Sequence, residues 1–336
     1  MDKPPYRVPL MTEIAALPWN GYNAISTFSG CGGSSLGYKM AGYRVLYANE
    51  FIPAAQETYR ANHKGTILDT RDIRKVQPQD ILDAIGKEPG ELDLMDGSPP
   101  CASFSTAGKR EAGWGKIKKY SDTKQRTDDL FFEFTRLLTG IQPKVFVAEN
   151  VAGLVKGTAK GYFLEILAAL KACGYRVKCK VLDAQWLGVP QMRQRTIFVG
   201  VREDIGLEPE HPEPLCYRYS VQDALPHIVK QGVNAAFGEI TMTAANRPSG
   251  TIGASPNTGN GKSNPSQVEV TESNALKTTQ RKLTIAELKR ICAFPDDFIL
   301  RGTASQQWER LGRAVPPVMM FHIAATVRDK ILARLP

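Results

Sequence analysis

From Asn23 onward the chain alternates short apolar runs with longer stretches of helical periodicity. The runs Asn23–Phe28, Arg44–Ala48, Leu92–Met95, Lys144–Ala148, Arg176–Leu182 and Thr196–Val201 are short and bounded by turn residues, which predicts strands. Between them, Ser35–Ala41, Pro53–Asn62, Asp128–Gly140 and Gly161–Cys173 predict helices. Phe163, Ile166, Leu167 and Leu170 recur at i, i+3, i+4 and i+7, a stripe that core packing explains. Strands alternating with helices imply a mostly parallel sheet wrapped on both faces, a doubly wound α/β fold.

The periodicity has limits at both ends of this region. Residues 1–20 read as an irregular extension. Between about Arg202 and Gln280 the pattern fades, and Pro, Gly, Asn, Ser and Thr crowd the stretch Arg247–Ser266. Tyr217, Tyr219, Phe237 and the β-prone Gly250-Thr251-Ile252 favour a small loop-rich domain there over a disordered linker. Helical pattern returns at Leu283–Ala293 and Val318–Leu335. The expected division is an extension (1–20), a main domain (21–201), a second domain (202–280) and a return to the main domain (281–336).

Composition narrows the function classes. The 336 residues suffice for one large domain and a smaller one. No apolar run approaches the roughly 20 residues of a membrane span, and Met1-Asp2-Lys3-Pro4-Pro5 lacks a secretion pattern. Six cysteines stand without metal-ligand spacing beside only four histidines, so no metal site is expected and a reducing cytoplasm fits. The net charge of +9 permits a nucleic-acid partner without demanding one. Its placement says more. Lys109, Arg110, Lys116, Lys118, Lys119, Lys124 and Arg126 crowd a glycine-containing stretch with Trp114, suited to phosphate contact or to plain solvation.

Several segments carry candidate chemistry. In Gly97-Ser98-Pro99-Pro100-Cys101-Ala102-Ser103-Phe104-Ser105, two prolines stop the preceding strand and present Cys101 on a rigid turn. That thiol is either a nucleophile or a small buried hydrophobe. Phe28-Ser29-Gly30-Cys31-Gly32-Gly33 links a strand to a helix, where glycines admit a ligand and helix N–H groups are free. Such a turn fits dinucleotide binding, nucleoside binding or a tight turn alone. Glu50, ending the second strand, can accept both hydroxyls of a ribose, and Asp72 can accept from an adenine amino group. No Gly-x-x-x-x-Gly-Lys-[Ser/Thr] motif argues for a nucleotide hydrolase. Glu149 ends another strand, where such sheets place ligands, or else caps the next helix. Gln191, Arg193 and Arg195 alternate onto one face of an extended segment, ready for an anion or a base.

Together these blocks resemble the DNA cytosine-5 methyltransferases, prokaryotic or phage type, over roughly residues 22–332 and in unpermuted order. The match runs through Phe28–Gly33, Pro100-Cys101, Glu149-Asn150-Val151, Gln191–Arg195, Arg281-Lys282-Leu283-Thr284 and Gly312-Arg313-Ala314-Val315-Pro316-Pro317. The resemblance implies a Rossmann-like class I S-adenosylmethionine-dependent fold, with residues 202–280 as target-recognition domain. It implies sequence-specific methyl transfer to carbon 5 of a flipped cytosine in double-stranded DNA through a Cys101 adduct, assisted by Glu149, Arg193 and Arg195. Cofactor contacts would come from Phe28, Ser29, Gly30, Cys31, Gly33, Glu50, Phe51, Asp72, Ile73, Ser98, Pro100, Leu130, Arg313, Ala314 and Val315. DNA contacts would come from Ser105, Lys109, Arg110 and Gln191. A monomer is expected, with a cognate restriction endonuclease as a conceivable companion. A related branch acts on tRNA, and a catalytically dead DNA-binding module is the remaining rival.

Two residues depart from the family pattern. Arg313 stands where an asparagine is usual, and Asp96 where the strand stays small or apolar. Arg313 is expected to pair with Asp96 or a DNA phosphate. The alternative is that it receives a carboxylate on the transferred group, making the cofactor carboxy-S-adenosylmethionine and the product 5-carboxymethylcytosine. A third is that it weakens cofactor binding.

Overall fold

A computed structural model describes residues 3–100, 118–120, 123–125, 129–155, 160–234, 240–255, 266–271 and 278–335. Helix α1 (Met11–Ala15) precedes β1 (Asn23–Thr27), α2 (Gly33–Met40), β2 (Arg44–Asn49), α3 (Pro53–Asn62) and β3 (Ile67–Asp69). Next come α4 (Pro78–Ile85), β4 (Leu94–Gly97), the hairpin strands β5 (Lys118–Tyr120) and β6 (Thr123–Gln125), α5 (Leu130–Ile141) and β7 (Val145–Val151). Then α6 (Lys160–Ala172), β8 (Tyr175–Asp183) and β9 (Gln194–Arg202) complete the main sheet. The remainder is α7 (Val221–Ala224), β10 (Ile228–Asn234), β11 (Ile240–Ala244), β12 (Gln267–Thr271), β13 (Thr278–Lys282), α8 (Ile285–Ile291), α9 (Ala304–Arg313) and α10 (Pro317–Lys330).

Seven strands form the main sheet in the order β3-β2-β1-β4-β7-β9-β8. The β1, β2, β3, β4 and β7 pairings are parallel, whereas β9 runs antiparallel to both β7 and β8. The order reverses beside β1, so the carboxyl ends of β1 and β4 open a crevice, the usual ligand position in such sheets. One face of the sheet packs Ala24, Leu94, Val145 and Val147 against Tyr38 of α2 and Met319, Met320 and Ile323 of α10. The other packs Ile25, Met95, Phe146 and Phe198 against Phe131, Phe134 and Leu138 of α5.

A second, four-stranded antiparallel sheet has the order β11-β10-β12-β13. Its Val268 and Val270 join a third core with Leu36 of α2, Leu288 of α8 and Trp308 of α9. After this insertion the chain returns, and α10 lies along α2. The expected strands and helices are all present, with three corrections. The N-terminal stretch is not wholly irregular, because α1 buries Ile14. Helices α4 and α9 were absent from the sequence reading, and the last helix stops at Lys330 rather than Leu335. Among the described residues no helix is long and apolar enough to cross a membrane.

Candidate active site

The loops after β1, β2, β3, β4 and β7 surround a cavity of about 510 Å³, closed on one side by the end of α9. Phe28, Ser29, Gly30, Cys31, Gly33, Glu50, Phe51, Asp72, Ile73, Ser98, Pro100, Leu130, Arg313, Ala314 and Val315 all line it, together with Glu149 and Arg195. Residues from sequence positions almost 290 apart therefore meet in one crevice. Cys101, Ser105, Lys109 and Arg110 lie outside the described residues.

The turn after β1 is shaped by backbone conformation. Phe28 has φ of 54°, a left-handed value uncommon for a residue with a side chain and frequent at ligand sites. The Ser29 hydroxyl donates to the Ser26 carbonyl at 2.8 Å, and the Ser29 N–H donates to the Asn49 carbonyl at 3.0 Å. Gly33 opens α2. A Cβ there would lie 2.3 Å from the Val315 carbonyl oxygen, so only glycine lets the closing block approach the turn.

Glu50 is buried and accepts from the Gly30 N–H and the Ile52 N–H, both at 2.6 Å. Burial holds its carboxyl above the ordinary range despite those two bonds. Asp72 accepts from the Arg74 N–H at 3.0 Å, and Arg74 also pairs with Asp129 at 2.6 Å. This end of the cavity thus offers the Glu50 and Asp72 carboxylates, exposed turn backbone, and apolar walls from Phe28, Ile73 and Leu130. This donor and acceptor set fits an adenosine moiety.

On the far wall, Arg195 Nε approaches Glu149 Oε1 at 2.7 Å, with both side chains largely buried. The pairing follows from register: Val151 of β7 faces Arg195 of β9, and Glu149 lies two residues away on the same face. Asn150 donates from Nδ2 to the Pro99 carbonyl at 3.2 Å, fixing the end of β7 to the Pro-Pro turn. Asn150 and Arg310 both line the cavity; Asn150 belongs to the Glu149–Val151 block, whereas no sequence signal marks Arg310. Arg310 is only 4% exposed and pairs with Glu309 at 3.0 Å. Cys31, though at the cavity, is a buried thiol that desolvation pushes up to about 12, a poor nucleophile.

Three expectations need correction. Gln191 is fully buried; its side-chain oxygen accepts from the Ile252 N–H at 3.1 Å, so it faces the interior and not DNA. Arg193 does not line the cavity. It donates to the Ile252 and Gly312 carbonyls at 3.1 and 2.8 Å, bracing the loops behind the site, and burial draws its proton affinity down to about 9. Arg313 pairs with Glu309, one helical turn earlier, at 2.7 Å and not with Asp96. Asp96 lies instead beneath the sheet surface, held by Ser26 and Tyr38.

A mostly parallel sheet in this strand order, with a crevice at its carboxyl edge lined by carboxylates and apolar walls, has the architecture of a class I methyltransferase. Residues 22–234 and 229–329 match the C-5 cytosine-specific DNA methylase family. The chain belongs to that family; it is an S-adenosylmethionine-dependent DNA cytosine-5 methyltransferase. Among its relatives, Type II methyltransferase M1.HphI of Haemophilus parahaemolyticus is 32% identical over 332 residues, covering 90% of this chain and 86% of the relative. Type II methyltransferase M.NgoPII of Neisseria gonorrhoeae is 29% identical over 356 residues, covering 96% and 99%. A crystal structure of a Spodoptera frugiperda DNMT2 variant superposes with a TM-score of 0.66 at 18% identity, covering 90% of this chain and 98% of the other, a likeness of fold.

Proposed function

We propose that this protein methylates cytosine within one particular DNA sequence by covalent catalysis, with Cys101 as nucleophile and Glu149 as acid. The observation that carries this reading is the buried Glu149–Arg195 pair, tied through Asn150 to the turn that precedes Cys101. Carbon 5 of cytosine is a weak nucleophile. Addition of the Cys101 thiolate at carbon 6 makes the ring an enamine, and a proton held on Glu149 at the adjacent ring nitrogen promotes that addition. Arg195 orients Glu149 and supports the ring carbonyl. When bound, S-adenosylmethionine supplies an electrophilic methyl group. A base then removes the carbon 5 proton, and Cys101 is expelled.

Phe28 would stack on the adenine, Glu50 would hold the ribose, and Asp72 would accept from the adenine amino group. The target base must leave the duplex to reach so enclosed a site. Ser105, Lys109 and Arg110 would contact the opened DNA, and residues 202–280 would read sequence in the major groove. The enzyme would act in the cytoplasm as a monomer; the Type II relatives suggest a restriction endonuclease beside it.

Arg313 bears on the choice of cofactor. A guanidinium beside a sulfonium is a like-charge conflict unless an anion intervenes. Glu309 already neutralises part of the Arg313 charge, which leaves less call for a carboxylate on the transferred group and supports the ordinary cofactor. Mass spectrometry of nucleosides from cells expressing the protein, beside a Cys101→Ala control, tests the whole reading. Only the wild type should yield 5-methylcytosine. A carboxymethyl product would reassign Arg313 as a cofactor selector, and methylated tRNA with unmodified DNA would reassign the substrate. Unimpaired product from Cys101→Ala would sink covalent catalysis.

A further inference from the structure

The carboxylate given to the adenine amino group, Asp72, is held from outside the crevice. Asp72 caps the single helical turn Ile73–Lys75, where its Oδ1 accepts the Arg74 N–H at 3.0 Å. The Arg74 side chain then folds back over the same carboxylate, with Nη1 3.2 Å from each oxygen. Its other edge goes to Asp129: Nε lies 3.2 Å from Oδ2 and Nη2 2.6 Å from Oδ1. Asp72 lines the cavity, whereas neither Arg74 nor Asp129 does.

Stability alone does not account for this bridge. Its three side chains are only partly buried, where an ion pair contributes little. Asp129 stands at the N-cap of α5, a position where aspartate ordinarily accepts a helix N–H. It makes no such bond, and its carboxylate goes instead to a residue 55 positions earlier. Nor is Arg74 the sole fastening of the turn, because Arg136 Nη2 of α5 already donates to the Ile73 and Val76 carbonyls at 3.0 and 2.9 Å. What Arg74 adds is its grip on the Asp72 carboxylate. A planar guanidinium held side-on by Asp129 cannot swing, so the Nη1 it offers Asp72 is fixed in direction. Asp72 Oδ1 takes two of these bonds and Oδ2 one, which leaves Oδ2 the greater capacity to accept from a ligand. Ile73 and Leu130, which follow Asp72 and Asp129 in the chain, are apolar walls of the same part of the cavity.

We propose that Arg74 is a positioning residue for adenine recognition: anchored by Asp129, it orients the Asp72 carboxylate so that one oxygen stays available to the amino group of the cofactor. The inference rests on the role given to Asp72 above. Its consequence is selective. A cofactor whose purine lacks the amino group gains nothing from Asp72, so it is insensitive to the loss of Arg74.

The test is calorimetric binding of S-adenosylhomocysteine and of its analogue with unsubstituted purine in place of adenine. Wild type, Arg74→Met, Asp129→Ala and Asp72→Ala are compared, with the thermal midpoint of each. Wild type should prefer adenine by about tenfold or more, the scale of a hydrogen bond to a charged group. Arg74→Met should cut that preference to about two- or threefold while binding the purine analogue within about twofold of wild type. Equal weakening of both ligands, or no weakening of either, would mean a structural brace and overturn the inference. If Arg74→Met does not fold, Asp129→Ala carries the test, since it removes only the anchor; an undiminished preference there refutes the idea. No adenine preference in wild type, or a full one in Asp72→Ala, would overturn the role of Asp72 itself. A preference lost in Asp72→Ala but kept in Arg74→Met would overturn only that of Arg74.

Discussion

Glu287 anchors the small sheet to the returning chain, and neutralising it gives a measurable loss. Its carboxylate accepts from Arg281 Nη1 and Nη2 at 2.8 and 2.7 Å, and contacts His227 Nε2 at 2.6 Å. It also accepts the Thr284 N–H at 2.8 Å in a capping box at the start of α8. Burial alone would raise its proton affinity; the bonds from Arg281, His227 and Thr284 outweigh that and bring it down to about 2. Against an ordinary value of 4.5, this corresponds to about 3 kcal/mol. Arg281 and His227 are 36% and 45% exposed, so solvent screening reduces the expected loss to about 1–2 kcal/mol. Glu287→Gln isolates the charge, since glutamine still completes a capping box. The fold favours the ionised acid, so its contribution is complete above pH 4.5 and fades as pH falls towards 2. Urea unfolding followed by tryptophan fluorescence should show the variant less stable at pH 7, with the gap shrinking towards pH 3. A gap under about 0.5 kcal/mol at pH 7, within the range of neutral surface changes, or one independent of pH, would refute this account.

Gly200→Ala places a Cβ 2.0 Å from the Phe146 ring in the middle of the sheet, and should cost about 2–3 kcal/mol in urea unfolding. Arg195→Lys keeps the charge but loses the planar donor opposite Glu149, so methyl transfer should fall about 100-fold or more with little change in thermal midpoint. Alkylation of the native protein followed by peptide mass spectrometry should modify exposed Cys216 while buried Cys31 and Cys292 react only after unfolding. Early labelling of Cys31 would contradict the closed packing behind the glycine turn.

Much of the cavity was legible because it is built from strand ends and the turns after them, where Gly, Pro and acidic residues break periodicity. Phe28–Gly33, Glu50 and Asp72 stand out for that reason. Gln191 and Arg193 misled because period-2 alternation was extended past the start of β9 at Gln194. Upstream of it, the chain is drawn inward by a bridge between Gln191 and Ser249. Arg310 looks like any charged residue of an amphipathic helix, and only the docking of α9 against the cavity buries it. The strands β10 to β13 are hard to see in the sequence because they alternate weakly, and β12 pairs with β10 rather than with the preceding β11. Asp96 was visible as an anomaly, but its two hydroxyl partners come from residues 70 and 58 positions away.

The interruption of the main domain by the small sheet has a consequence during synthesis. Helix α10 covers the face formed by Ala24, Tyr38, Val45, Leu94 and Val147, and it is translated more than 100 residues after the last strand of that sheet. A growing chain that has already made every strand of that sheet has only α2 on this face, without the α10 cover, and lacks the Arg310–Val315 wall of the crevice. Such a nascent chain is a natural client for chaperones, and it cannot bind cofactor productively. The crevice is therefore complete only once the chain beyond residue 315 has been made.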